Sequence, residues 1–333
     1  MEFTKRRFGW IADQEIIEYQ LTTKQGAVFK CLNYGAIVSS IEVPDKNGDC
    51  ENVVLGFDTL EEYIEDSPYF GAVVGRVAGR IKNGIWDTHK LTQNEGLHHI
   101  HGGQANFSQI VWDTEVNKAV DFIDIIFTHI SPAGDNGYPG NLTVKVVYRW
   151  TEKAVWTMDI RAETDATTLF NPTNHTYFNL SGSVKRTILN HKLQIASAAY
   201  AEVGADKCPT GRLCPVDGTP YDFRTPIFMS EALAKQPAGY DTPFKLTTGN
   251  VLLSEPESGR QLAIRTTREA VVVFSTTGMD EEYVVMGKKM CSHLGIALET
   301  QELPDAVHHP HFQSIILKPG EKYFSQTTYR FSA

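Results

Sequence analysis

The sequence predicts an all-β protein, an antiparallel sandwich or barrel with few short helices. Three observations lead there. Apolar and polar residues alternate, or β-branched residues cluster, in many short runs. Turn-forming tracts separate those runs, among them Asp45-Lys46-Asn47-Gly48, Gly134-Asp135-Asn136-Gly137 and Lys318-Pro319-Gly320-Glu321. Between successive runs there is no helix of the length that a parallel crossover needs, so antiparallel pairing is favoured over a parallel α/β sheet.

In chain order, residues 27–32 and 37–43 are the first expected strands, rich in β-branched and aromatic side chains. Residues 59–66, after Asp58, form a short helix, since an acidic residue there opens a run of helix formers. Residues 122–130, 142–150 and 155–162 follow as strands; in the second of these Leu142, Val144, Val146, Tyr148 and Trp150 mark one face. The second half repeats the pattern at 192–196, 261–266, 270–276, 313–317 and 323–331, with a second short helix at 229–235. No Gly/Ser-rich or Pro-rich linker, low-complexity tract or internal repeat interrupts it, so residues 1–333 are expected to form one domain.

Composition narrows the partners. With 31 Lys+Arg against 40 Asp+Glu the formal charge is -9, which disfavours nucleic acid and anionic membrane surfaces. A small, neutral or locally recognised ligand suits this balance better. Five cysteines, Cys31, Cys50, Cys208, Cys214 and Cys291, show no CxxC spacing, so neither a disulfide framework nor a zinc knuckle is expected. The start, Met1-Glu2-Phe3-Thr4-Lys5-Arg6-Arg7, is charged, and no apolar run approaches the ~20 residues that span a bilayer. The expectation is an unexported, cytoplasmic protein.

Five polar segments stand out. In Asn174-His175-Thr176-Tyr177-Phe178-Asn179, His175 is flanked by turn-prone polar residues and aromatics, a setting for an imidazole that gives or takes a proton. Asn174, Thr176 and Asn179 are expected to frame that ring, with Tyr177 and Phe178 packed beneath it. Gly79 and Arg80 close Gly75-Arg76-Val77-Ala78-Gly79-Arg80, where Arg80 can offer a planar fork of donors to an oxygen-rich ligand. His98, His99 and His101 precede Gly102-Gly103, and His308, His309 and His311 form a second cluster. On one strand face His99 and His101 would be able to chelate, but His101 as a hydrogen-bond donor to ligand is the preferred reading. Asp241 lies among Tyr240, Pro243 and Phe244, company common in carbohydrate sites. Glu299 ends the apolar run Ile296-Ala297-Leu298, where partial desolvation raises a carboxyl pKa and makes a better base.

Residues 75–81, 99–103, 171–182, 239–244 and 299–306, with Val54-Leu55-Gly56-Phe57 and a late Pro-Gly turn, resemble the aldose 1-epimerase family in kind and in order. The resemblance implies a large many-stranded sandwich of the galactose-mutarotase type, with its site in an open cleft. It implies interconversion of the α and β anomers of a free aldose through a ring-opened aldehyde, without cofactor or metal. By the same resemblance Glu299 is the base, His175 the acid, and Arg80, His101 and Asp241 bind sugar hydroxyls. The expected partner is a small sugar, and the expected assembly a monomer or homodimer.

Three departures qualify the match. Gly79 stands where the family often has Asn, Thr242-Pro243 where it commonly has His-Asn, and Val272 where a glutamine is common. A more apolar rim admits a disaccharide with a free reducing end, such as maltose. Rival readings are a glycoside hydrolase, a carbohydrate-binding protein without activity, and a hexose 6-phosphate epimerase, for which only Arg80 is well placed.

Overall fold

Alternation in sequence becomes a buried face wherever a strand has water on its other side. In the Leu142–Thr151 strand, Leu142, Val144, Val146, Tyr148 and Trp150 are buried while Thr143, Lys145 and Arg149 are exposed. Its neighbour Val155–Thr164 does the same with Trp156, Met158, Ile160 and Ala162. The computed structural model describes all residues from Met1 to Ala333. Strand accounts for 48% of it and helix for 8%, so the mainly β expectation holds.

The main sheet runs, in spatial order, through Asp113–Lys118, Phe122–Ser131, Leu142–Thr151, Val155–Thr164, Tyr323–Ser332, Gln261–Thr266, Asp241–Ser254, Ala270–Phe274, Ile296–Gln301 and Tyr177–Phe178. Every neighbouring pair on this path is antiparallel. A five-stranded antiparallel sheet of Glu2–Ile11, Gln14–Thr22, Val28–Leu32, Val38–Pro44 and Cys50–Asn52 packs across it. Phe29 makes the join, with its ring 5.9 Å from Tyr148, 5.6 Å from Trp150 and 5.5 Å from Trp156. Trp156 in turn stacks on Tyr329 at 4.2 Å, so aromatic packing links the Val28–Leu32 strand to the last strand, Tyr323–Ser332.

Asp241–Ser254 pairs along one edge with Lys192–Val203 and along the other with two strands in turn. Residues 241–245 pair with Ala270–Phe274, and residues 250–254 with Gln261–Thr266. Gly249 sits at the change, with φ +68° and space so tight that a Cβ would lie 2.3 Å from the Thr266 carbonyl oxygen. Only glycine passes there. The consequence is that the start of this strand, with Asp241, lies beside the Ile296–Gln301 strand's partner and so over the cleft.

Several boundaries differ from expectation. The first helix is Leu60–Glu65, capped by Thr59, whose hydroxyl accepts from the Glu62 N–H while Glu62 reaches back to the Thr59 N–H. The second, Met229–Lys235, lies where expected. Of residues 313–317 only Ile316–Leu317 is strand, paired with Thr168–Leu169, and the run at 270–276 ends at Phe274. The run at 192–196 extends to Val203. The Glu2–Ile11 and Gln14–Thr22 hairpin was not expected, because Lys5, Arg6 and Arg7 hide the pattern; they face solvent while Ile16, Tyr19 and Leu21 are buried. No helix is long and apolar enough to cross a membrane.

Candidate active site

His175 is held between two short strands. Thr173–Asn174 pairs with Val73–Val74, and Tyr177–Phe178 pairs with Ile296 and Ala297. The His175 N–H donates to the Ala72 carbonyl at 2.8 Å and its own carbonyl accepts from Gly71 at 3.1 Å. Asn174 tightens the turn: its amide donates to the Gly71 carbonyl at 2.7 Å and to the Tyr148 hydroxyl at 3.1 Å, and its oxygen accepts from Thr176. Asn174 and Thr176 therefore frame the backbone, not the imidazole. Asn179 binds farther off, to the Arg186 and Leu294 carbonyls.

The ring itself meets aromatics. Tyr177 stacks against it at 4.9 Å and Tyr69 at 5.8 Å, whereas Phe178 points away and packs against Tyr329 in the core. Tyr177 thus takes the packing role expected of it, and Tyr69 replaces Phe178.

Glu299 enters from the Ile296–Gln301 strand, all six of whose residues are buried. Its Oε1 lies 3.4 Å from His175 Nε2. Glu299 Oε2 and His175 Nδ1 have no hydrogen-bond partner although both groups are buried. The structure thus brings together, across the sheet edge, two residues far apart in sequence. They line a cleft of about 440 Å³ with Arg80, His101 and Asp241, within the size range of small-molecule sites.

Arg80 is already engaged. Its guanidinium donates to both Glu95 oxygens, at 2.5 and 2.8 Å, and a third nitrogen lies 3.6 Å from Asp241. A bidentate clamp of this kind fixes the fork in one plane. His101 occupies a turn with φ 52°, accepts from the Gly79 N–H at 3.2 Å through Nδ1, and places its ring 5.4 Å from that of His175. Its Nε2 is left for the cleft.

Burial sets the proton balance. Desolvation lowers His175 to about 4. It also raises Glu299 well above the usual carboxylate range, with nearby Asp241 adding to the rise and Arg80 opposing it. His101 is lowered well below its ordinary value, first by burial and then by the neighbouring His175. Burial thus favours the neutral pair, with the shared proton on the Glu299 carboxyl, over the ion pair.

The histidine clusters do not assemble. His99 spends both ring nitrogens, one on the Thr92 carbonyl at 2.7 Å and one on the Tyr138 hydroxyl at 2.6 Å, so it shares no ligand position with His101. His308 binds Asp305, while His309 and His311 reach the Pro209 and Gly211 carbonyls. His98 instead approaches Asp206 and Cys208, with donor atoms within 4.8 Å of one another, but Lys82 already sits 3.0 Å from Asp206.

Cleft residues without an assigned role in the sequence reading include Tyr69, Glu95, Lys207 and Gln301. Gln301 is the most telling. It shares a strand face with Glu299, is 1% exposed, and its Oε1 has no partner. The two-residue period from Glu299 was the available signal. Gly79 leaves the room, since a Cβ there would sit 2.8 Å from Pro304 and 3.6 Å from the Gln301 oxygen. Val272 lies in the cleft directly opposite Glu299 in register, and Pro243 and Gly79 line it too, so all three sequence departures fall on its wall.

A family model described as aldose 1-epimerase matches residues 18–330. A galactose mutarotase of Bos taurus is 36% identical, over 95% of this chain and 94% of that one. A maltose epimerase of Levilactobacillus brevis is 29% identical, over 100% of this chain and 99% of that one. A crystal structure of a galactose 1-epimerase from Lactobacillus acidophilus matches with TM-score 0.87 and 28% identity, over 99% of this chain and 98% of that one.

Proposed function

The chain belongs to the aldose 1-epimerase family, whose members are isomerases, and from that premise we propose that Glu299 and His175 exchange the protons that open and reclose an aldose ring. The observation that carries this division of roles is the 3.4 Å approach of the two buried groups, each with an atom that no protein group partners, in the wall of the cleft.

The chemistry follows from one shared proton. With sugar bound, hydroxyls and Arg80 stabilise the form in which Glu299 is ionised and His175 carries the proton. Glu299 then takes the proton of the anomeric hydroxyl as His175 gives its proton to the ring oxygen; the C1–O5 bond breaks and C1 becomes the aldehyde. The pair is left as a protonated carboxyl and a neutral imidazole, the same state that burial favours in the empty cleft. Rotation about C1–C2 turns the aldehyde's other face to the C5 hydroxyl. The two transfers then run in reverse and give the other anomer, with no covalent intermediate.

Arg80, His101 and Asp241 hold sugar hydroxyls. The Glu95 clamp keeps Arg80 rigid, and Asp241, with 47% of its side chain exposed, reaches from the rim. Gln301 adds a carboxamide beside Gly79, where the family often has an asparagine. Its distance along the strand from Glu299, roughly 6.7 Å for two residues, places it near the hydroxyls away from the anomeric carbon.

Alternatives are less well supported. Glycoside hydrolysis uses two carboxyls roughly 5–9.5 Å apart across the bond, but Glu299 faces an imidazole and Asp241 stands beside Arg80. Binding without turnover would not require the buried pair, and a 6-phosphate site would need more free cations than Lys207, with Arg80 already occupied by Glu95. Polarimetry on freshly dissolved α-glucose tests the reading: the enzyme is expected to speed the approach to equilibrium and to release no nitrophenol from nitrophenyl glycosides. Nitrophenol release without mutarotation would overturn it.

A further inference from the structure

Four neighbouring strands of the main sheet, Lys192–Val203, Asp241–Ser254, Gln261–Thr266 and Tyr323–Ser332, carry a second concavity, a groove of about 850 Å³. It shares no residue with the catalytic cleft. Along the strand that serves both, Asn250 in the groove stands nine residues beyond Asp241 in the cleft, roughly 30 Å of extended chain. The register lays the floor in rows. One runs from Gln194 through Leu252 and Ala263 to Arg330, and the next sets Arg265 between Asn250 and Thr328. Ala263, Arg265 and Arg330 are exposed while Leu262, Ile264 and Tyr329 are buried, so these side chains share the outer face.

The charge of the groove runs against that of the chain. The chain carries -9, yet no Asp or Glu lines the groove and Arg224, Arg265 and Arg330 do. Arg224 is neutralised by Asp217 and Asp222. Arg265 and Arg330 make no ion pair or hydrogen bond within the protein. Every other arginine is engaged: Arg76 by carbonyls and hydroxyls, the rest by carboxylates. The two that engage nothing stand together here.

Their placement lets them act on one anion. Arg265 faces Thr328 and Arg330 faces Ala263, so the two lie diagonally across paired strands. Cβ atoms in that relation are roughly 7–8 Å apart, within reach of long side chains. A carboxylate has two oxygens and is satisfied by one fork, whereas the three free oxygens of a phosphate monoester suit two. Beside the arginines, Asn250 donates its amide to Thr248 at 3.0 Å and Gln194 donates to the Arg224 carbonyl at 3.0 Å. The carboxamide oxygens of both are left to accept from hydroxyls.

We propose that this groove binds a phosphorylated small metabolite, its phosphate held between Arg265 and Arg330 and its hydroxyl-bearing part laid over Ala263 towards Asn250 and Gln194. The site is separate from the sugar cleft and makes or breaks no bond. Local positive potential in a concave site attracts such an anion in spite of the overall charge.

The test is titration calorimetry on the full chain in a phosphate-free, low-salt buffer. The probes are inorganic phosphate, glycerol 3-phosphate and uridine monophosphate, with acetate as the carboxylate control. Wild type is expected to bind the two esters more tightly than inorganic phosphate, and acetate not at all. Arg265→Ala and Arg330→Ala are each expected to weaken ester binding about ten-fold, and to leave mutarotation of glucose within about two-fold. Arg→Lys at either position keeps the charge but loses the fork, and an intermediate loss is expected. No binding of any phosphate probe, equal affinity in the double Arg265→Ala/Arg330→Ala variant, acetate binding as tight as phosphate, or displacement of the esters by saturating glucose would overturn the site. Sedimentation of wild type with phosphatidylserine vesicles in the absence of ester binding would assign the face to a membrane and overturn it too.

Discussion

At the scale of single residues, the account turns on where one proton sits. Burial disfavours charge on both members of the pair, lowering His175 to about 4 and raising Glu299. The sign is then fixed: as pH falls through about 4 the imidazole gains a second proton, the pair loses its base, and turnover declines. As pH rises past the elevated carboxyl value the pair loses its only proton and turnover declines again. An infrared band of a protonated carboxyl is therefore expected in the empty enzyme at neutral pH, absent from Glu299→Gln; an ionised carboxylate in its place would contradict the assignment. Gln301 gives a second residue-scale prediction. An unpaired buried carboxamide costs stability, and replacing it by an apolar group of similar size is neutral or stabilising. Gln301→Leu is expected to lower kcat/KM about ten-fold, through KM, while thermal stability stays or rises. A lower melting temperature with unchanged KM would make Gln301 structural.

At the scale of elements, the strands with one wet face were legible because water writes a two-residue period into them. Leu142–Thr151, Val155–Thr164 and Gln261–Thr266 were recovered almost to the residue. The Glu2–Ile11 strand was not, since its side chains are largely exposed and carry no such period. Nor did any period reveal that Asp241–Ser254 runs for 14 residues past Gly249, because its partner changes midway. The site divided in the same way. His175, Glu299, Arg80, His101 and Asp241 were each visible as polar residues in suggestive settings, but only the resemblance joined them, and only the fold showed the 3.4 Å contact. Glu95 escaped notice because its meaning is a distance, to Arg80, that no local pattern records, whereas Gln301 was marked only by its two-residue spacing from Glu299.

At the scale of the whole molecule, one hydrophobic cluster draws residues from Tyr19 near the start to Phe331 near the end. We propose that the chain folds as one unit, and a single thermal transition, with the calorimetric and van't Hoff enthalpies equal, is the expected result; two separated transitions would divide it. The cleft belongs to that unit as a whole: its walls come from the first quarter of the chain at Tyr69 and Arg80, the middle at His175, and the last third at Asp241 and Glu299. The -9 formal charge sits apart from this chemistry, since the pair works as a neutral, buried couple. The most direct measurement is mutarotation of fresh α-glucose, by polarimetry, with wild-type enzyme and with folded His175→Ala and Glu299→Ala variants at equal concentration. Each variant is expected to lose about 10²–10⁴-fold in turnover, the usual contribution of a positioned acid or base. Near wild-type mutarotation in either variant would contradict the role given to the pair.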